Sequence, residues 1–273
     1  MYVAIALGLT IVFGMLRLVN FAHGAFYAIG AYVGLIVAQQ FGIVAGLIAA
    51  PIAVGLFAVA FDRLLLRFFY DKEPTAQILV TFGVAIVVEE SLRLIFGGTT
   101  RPFPLPDALS GSFNLGFTSY PTYRLLLAGG IIAVVVAVWL FIERTDYGLI
   151  VRAGIRDRTM VQLLGGNVRL ASTIIFALGA GLAGLVGAAA SPIYSVDPNT
   201  GFSFLVPSFV VVVIGGLGSF WGAVLGGLIV GELGSLTTLF FPAASDVVIY
   251  VAMALVLLVR PSGLLGESEV IRG

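Results

Sequence analysis

The chain has 273 residues, of which 60% are hydrophobic and 10% charged, and its formal net charge is zero. Soluble domains carry about 25% charged residues, so the whole length, 1–273, reads as one polytopic membrane domain of all-α class; the neutral total says nothing about partners, and no nucleic-acid partner is expected. Cysteine is absent, which excludes disulfides, Cys-ligated metals and thiol catalysis.

A membrane span needs about 20 mostly apolar residues. In chain order the candidates are 1–16, 21–40, 43–61, 75–96, 122–142, 168–191, 202–217, 219–240 and 245–260, which predicts a bundle of about eight to nine transmembrane segments. No basic stretch precedes the first run, so it does not read as a cleaved signal peptide. Arg17, Asn20 and His23 punctuate the first 40 residues. The run Asn20-Phe21-Ala22-His23-Gly24 reads either as a helix break lining a cavity or as an interfacial turn. Gly30, Gly34 and Ala38 then form a row of small residues at four-residue spacing, which lets helix backbones approach.

The link 62–73 carries Arg63, Arg67 and Lys72. Basic links resist translocation, so this one is expected in the cytoplasm. Span 75–96 holds Glu89, Glu90 and Arg93; Glu89 and Arg93 have the i, i+4 spacing of a neutralising pair. The link 97–121 is rich in Gly, Pro and Ser with one basic residue, Arg101, and parity places it outside.

Residues 143–169 hold Arg144, Arg152, Arg156, Arg158 and Arg169, five of the 14 Lys and Arg residues. This link is therefore also expected in the cytoplasm. Its inner part, 156–166, reads as a short helix outside the bilayer, capped by Asp157 and ended by Gly165 or Gly166. Met160, Leu163 and Leu164 share one face. Such a ridge fits a cytoplasmic partner; a solvated loop resting on the membrane fits the same spacing.

Ala180, Gly184 and Ala188 make a second small row, and Gly218, Gly222 and Gly226 a third, with Gly227, Gly231 and Ser235 beside it. Residues 20–34 and 218–231 resemble each other faintly, as in a pseudo-repeat. Glu232 lies within a span with no basic residue near it in sequence, and intramembrane carboxylates usually have a partner or a wet cavity. The same parity puts 192–201 and the N-terminus outside and the tail after Arg260 inside, and residues upstream of Met1 are expected.

Exclusions narrow the chemistry. Lys72 is the only lysine and no Gly-rich loop precedes it, so there is no P-loop and no retinal-type Schiff base within a span. His23 is the only histidine, so bis-histidine haem and HExxH zinc sites are excluded. No catalytic residue, metal or cofactor is expected.

Residues Leu7 to Gly24, with the Asn-Phe-Ala-His-Gly core at 20–24, continue through Tyr32 in a run that resembles the opening of LivH-type permeases. These are membrane subunits of branched-chain amino-acid ABC importers. The stretch Arg152 to Asp157 followed by Leu163, Leu164 and Gly165 resembles the family's cytoplasmic coupling segment. Residues 198–201, 215–227 and Arg260 to Gly266 resemble its C-terminal half.

The resemblance implies a permease, not an enzyme, in the cytoplasmic membrane of a prokaryote, translocating branched-chain amino acids by alternating access. It implies a second permease subunit, two cytoplasmic ATP-binding subunits, an extracytoplasmic binding protein and surrounding membrane lipid as partners. Arg152, Arg156, Asp157, Met160, Leu163, Leu164 and Gly165 would couple to the ATPase. Asn20, Phe21, His23 and Glu232 would line the pathway, and Gly30, Gly34, Gly184, Gly218, Gly222 and Gly226 would pack helices. The same importer class carrying urea, short amides or other amino acids, and an ATPase-independent channel or carrier, are the alternatives. The chain departs from the family in starting some two dozen residues late, in following it only loosely over 155–162, and in carrying Gly166 where an aliphatic residue is common.

Overall fold

The computed structural model describes residues 1–16, 18–70, 72–114, 116 and 119–266, with the side chains of Ala108, Arg156, Arg158 and Asp246 outside that description. Arg17, read above as one of three polar punctuation marks, lies outside the described residues.

Nine helices fall at the nine apolar runs, among the described residues: α1 (Tyr2–Leu16), α2 (His23–Phe41), α3 (Ile43–Leu64), α4 (Pro74–Phe96), α6 (Thr122–Arg144), α9 (Val168–Tyr194), α10 (Thr200–Gly215), α11 (Phe220–Phe240) and α12 (Ser245–Val259). Between them lie a four-residue helix α5 (Asp107–Ser110) and two short helices, α7 (Asp146–Arg156) and α8 (Arg158–Leu163). By length and composition α2, α3, α6, α9 and α11 are able to cross a membrane, while α1, α10 and α12 are shorter apolar helices. The link 97–121 is not only loop. It holds an antiparallel pair, β1 (Ser112–Asn114) and β2 (Ser119–Pro121), with Phe113 opposite Tyr120.

α9 is the central element and packs on α1, α2 and α3. Its sequence explains why. A methyl added at Gly30 of α2 would collide with the backbone of Gly184, and one at Gly8 of α1 with the carbonyl of Gly179. Gly34 likewise meets Ala188, and Gly181 and Gly184 lie against Pro51, Ala50 and Val54 of α3. Small residues thus bring three neighbours to backbone distance of one helix, where van der Waals contact rather than water exclusion holds membrane helices together.

The third small row needs a correction. Gly222 and Gly226 belong to α11 and press on Gly215 and Val211 of α10, but Gly218 lies in the turn before α11 with φ +81° and faces Gly14 of α1. It shapes the turn instead of extending the helical stripe. α11 is capped by Ser219, whose hydroxyl accepts from Gly222 N–H at 3.1 Å, and packs on α1, α10 and α12. The two helices of the suspected pseudo-repeat both pack on α10, and α2 packs besides on α9 and α3.

The outer surface is apolar, as lipid contact requires. Val44, Ile48, Ile52 and Leu56 run down the exposed side of α3. α6 buries little beyond Tyr123, whose hydroxyl donates to Ala189 O of α9 at 2.6 Å. At one end of the bundle Asp62 ties α3 to its neighbours. Its carboxylate accepts from Tyr70 Oη and, at 2.6 Å, from Thr173 Oγ1 of α9. At the other end Arg101 and Val196 exchange backbone hydrogen bonds of 2.8 Å, pinning the link after α4 to the link after α9.

Candidate functional site

α1 and α2 follow from two neighbouring apolar runs, and residues 18–22 between them are not helical apart from a turn at 21–22. Asn20 makes the interruption. Its Oδ1 accepts from Ala22 N–H at 3.0 Å and its carbonyl from His23 N–H at 3.3 Å. The chain then doubles back, so that the His23 ring lies beside the middle of α1. Nε2 donates to Ile5 O at 3.0 Å, which leaves Nδ1 as an acceptor, and Gly8 makes room for the ring. At 1.5 Å per residue, Gly8 sits about 12 Å before the end of α1. α2 therefore begins part-way through the bundle.

α10 begins at the same depth. Gly24 and Gly201 meet backbone to backbone. From there α2 runs along α9 past Gly184 and Ala188, while α10 runs the opposite way towards the turn at Gly218, which meets Gly14 near the end of α1. Two helix N-termini, the positive ends of their dipoles, thus converge inside the molecule. Asn20 Nδ2, His23 Nδ1 and Thr10 Oγ1 are buried there or on adjoining α1 without a hydrogen-bond partner among the described residues.

Phe21 points elsewhere, to a partly exposed face between the break, α4 and α10. Its N–H donates to Thr81 Oγ1 at 3.2 Å. Its ring lies 5.3 Å from Phe209 and 6.0 Å from Phe82, and Phe82 lies 5.9 Å from Phe202. Two turns further along α4 the face becomes charged. Arg93 pairs with Glu89 at 3.2 Å and Glu90 at 3.0 Å and donates to Asn199 Oδ1 at 2.7 Å. Asp197 accepts from Asn199 N–H at 2.8 Å and from Thr100 at 3.2 Å. An aromatic wall beneath a rim of both charge signs results.

At the opposite end, α6 leads into the basic link. Thr145 caps α7 by accepting from Gly148 N–H at 3.1 Å. Arg152 is turned back onto α6, donating to Ile142 O and lying 3.4 Å from Glu143. Gly154 sits on Met15, which seats α7 on the end of α1. Asp157 closes α7 and caps α8, its Oδ1 accepting from Met160 N–H at 2.8 Å. Gly165, at φ +81°, ends α8. Val161 is buried, whereas Met160, Leu163 and Leu164 are 51, 77 and 80% exposed. Arg156 ends the α7 backbone, and its side chain lies outside the described residues.

The family model for the permease component of branched-chain amino acid transport systems matches residues 1–257. The chain belongs to that family. It is 30% identical to the permease LivH of Salmonella typhimurium, over 98% of this chain and 92% of the relative. The permease BraD of Pseudomonas aeruginosa is also 30% identical over the same shares. LivM of Escherichia coli is 27% identical over 97% of this chain and 67% of its own length. No solved structure matches. This permease is accordingly a multi-pass membrane transport subunit and not an enzyme.

Within the permease, Asn20, Phe21 and His23 share the break between α1 and α2, but only Phe21 reaches the aromatic face. Glu232 does not join them. It is exposed on α11, beside Gly231, which faces Tyr2 at the start of α1. Met160, Leu163 and Leu164 form the exposed ridge read from the sequence, while Arg152 is committed to α6. Phe82, Phe202 and Phe209 escaped sequence reasoning, because Phe among 21 phenylalanines carries no local mark; Asn199 stood in the 198–201 stretch of the resemblance, without its contact to Arg93. The one usable signal was the pairing of Glu89 with Arg93, which points to the rim above them.

Proposed function

We propose that this permease carries branched-chain, hydrophobic amino acids across the cytoplasmic membrane of a prokaryote by alternating access. It would work with a second permease, two cytoplasmic ATP-binding subunits and an extracytoplasmic binding protein. The observation that carries the reading is the face made by Phe21, Phe82, Phe202 and Phe209 under the rim of Glu89, Arg93 and Asn199. A zwitterion with an apolar side chain needs both charge signs at the entrance and an apolar wall below it. Urea and short amides have nothing to place on such a wall. The names of the relatives favour the same cargo.

The break at 18–22 supplies polar lining to the pathway in this reading. Buried polar groups without partners each cost about 1–3 kcal/mol, and water entering between α2 and α10 would satisfy Asn20, His23 and Thr10. ATP-driven motion would arrive through α8, whose Leu163 and Leu164 offer apolar surface to an ATPase.

Uptake of labelled leucine and of labelled urea, in cells lacking their own systems and expressing the full set of subunits, tests the proposal. Leucine is expected to accumulate and urea not. Phe82→Ala should lower leucine uptake roughly tenfold, since a pocket contact of this kind is worth about 1–3 kcal/mol, with subunit assembly unchanged. Equal uptake of both solutes, or full leucine uptake by Phe82→Ala and Phe21→Ala, would remove the assignment.

A further inference from the structure

Two cavities lie side by side at the basic end of the permease and share a wall. The first, of about 870 Å³, has a mixed polar and apolar lining and is bounded by the end of α3, the turn at 66–68, α8 and the start of α9. Arg63, Arg67 and Arg169 line it. None of the three forms an ion pair among the described residues. Asp62 is the carboxylate of this lining; it is 2% exposed, and both its oxygens already accept from Tyr70 and Thr173. Among the described residues, three guanidinium groups against one tethered carboxylate leave the chamber positive.

The second cavity, of about 630 Å³, is apolar. It is the gap between α6 and the bundle, walled by Ile52 and Leu56 of α3, Val138 and Phe141 of α6, and Leu178 and Leu182 of α9. Arg63, Leu170 and Thr173 line both cavities, so the two adjoin and Arg63 stands between them.

We infer that the pair is a binding site for an anionic phospholipid of the cytoplasmic leaflet, with the phosphate in the arginine chamber and an acyl chain in the apolar cleft. The charge bias of the links places this end in the cytoplasm, where anionic lipids are concentrated and each nearby Lys or Arg adds attraction. A soluble anion would use the chamber and leave the cleft unused. A protein knob would do the same. An amphipath of one negative headgroup and one long tail fits both. The acyl chain would bridge α6 to α3 and α9, and the headgroup would touch Thr159 and Gln162 of α8, next to the ridge of Leu163 and Leu164.

Native mass spectrometry of the purified full-length chain, in detergent with equal phosphatidylglycerol and phosphatidylcholine, reads the site directly. Phosphatidylglycerol is expected to be retained at least tenfold over phosphatidylcholine. Arg67→Gln should cut that preference about fivefold, the worth of one basic residue near an anionic headgroup. Gly55→Leu should displace both lipids, because Gly55 borders the cleft and a Cβ there meets only Ala177 O, at 3.5 Å. Glycerol phosphate, a headgroup without tails, should not compete. Equal retention of the two lipids by the wild-type chain, which needs no variant, would overturn the proposal. So would unchanged selectivity after Arg63, Arg67 and Arg169 are all made Gln, or competition by glycerol phosphate equal to that of the whole lipid. If those variants, purified with their assembled partners, instead lose a cytoplasmic ATPase while keeping phosphatidylglycerol, the chamber is a protein dock and the proposal fails.

Discussion

Gly30 and Gly184 meet with no side chain between them, and the cost of changing that is predictable. Gly30→Ala forces α2 off α9 and should destabilise the permease by about 1–3 kcal/mol, the usual penalty of overpacking. Gly83 on α4 has nothing within 4 Å of an added Cβ, so Gly83→Ala should be neutral or stabilise by up to about 1 kcal/mol through helix propensity. Thermal unfolding of both variants in one detergent checks the pair, and equal melting of the two would discredit the contact. The small rows were legible as spacing in the sequence. Their partners were not, because Gly30 and Gly184 are far apart in the chain and four-residue spacing names no neighbour. Asp62 shows the same limit more sharply. In sequence it is one acid at the head of a basic link; only the fold sets it against Thr173, 111 positions away. Arg93 was half legible: its i, i+4 partner Glu89 could be read off, its contact with Asn199 could not.

α8 is the element that local chemistry marks best. A cap at Asp157, a left-handed stop at Gly165 and a one-sided ridge are all short-range features, and all three are present. Removing the cap with Asp157→Ala should cost α8 about 1 kcal/mol and weaken the coupling of ATP hydrolysis to uptake in proteoliposomes. Leu163→Asp together with Leu164→Asp removes apolar surface that the permease itself does not bury. Insertion should therefore survive while hydrolysis and uptake separate; normal uptake by that double variant would refute a docking role. α7 was not legible. Its charges Asp146, Arg152 and Arg156 blend into the basic link, and its buried side depends on Met15 of α1, a tertiary contact. The hairpin at 112–121 was missed for another reason: strands of three residues are too short to show alternation. Its position between α4 and α6 still allows a topological test. Ser112→Cys, in a chain without cysteine, should react with an impermeant thiol reagent in intact cells, and labelling only after lysis would invert the arrangement.

At the scale of the molecule, composition was enough to give the order and approximate ends of the membrane helices, since burying backbone in lipid leaves little choice but helices. Depth was hidden. Nothing in the residues around His23 or Thr200 says that α2 and α10 start part-way through the bundle, because an apolar run looks the same wherever it begins. That placement comes from the close seats that Gly8, Gly24 and Gly201 provide. The same seats bear on how the permease could change shape. α1, α2 and α3 touch α9 backbone to backbone at their small residues, and Phe26 of α2 and Phe61 of α3 pack on Phe176 of α9. Sliding or rotating any of them would drive main chain into main chain. These four helices form a post, and whatever turns must be hung from it: α4 with its charged rim, α6 held by Tyr123, α12 on the far side. Spin labels on Phe13 and Arg169 should then keep their separation within about 2 Å, the scale of ordinary helix shifts, in every nucleotide state of the assembled transporter. Labels on Leu94 of α4 and Leu140 of α6 should move further than that. A transport subunit built this way would be tuned by its door and not by its frame, so adaptation to new cargo would be found on α4 and α10 while the glycine seats of the post stay closed even to alanine.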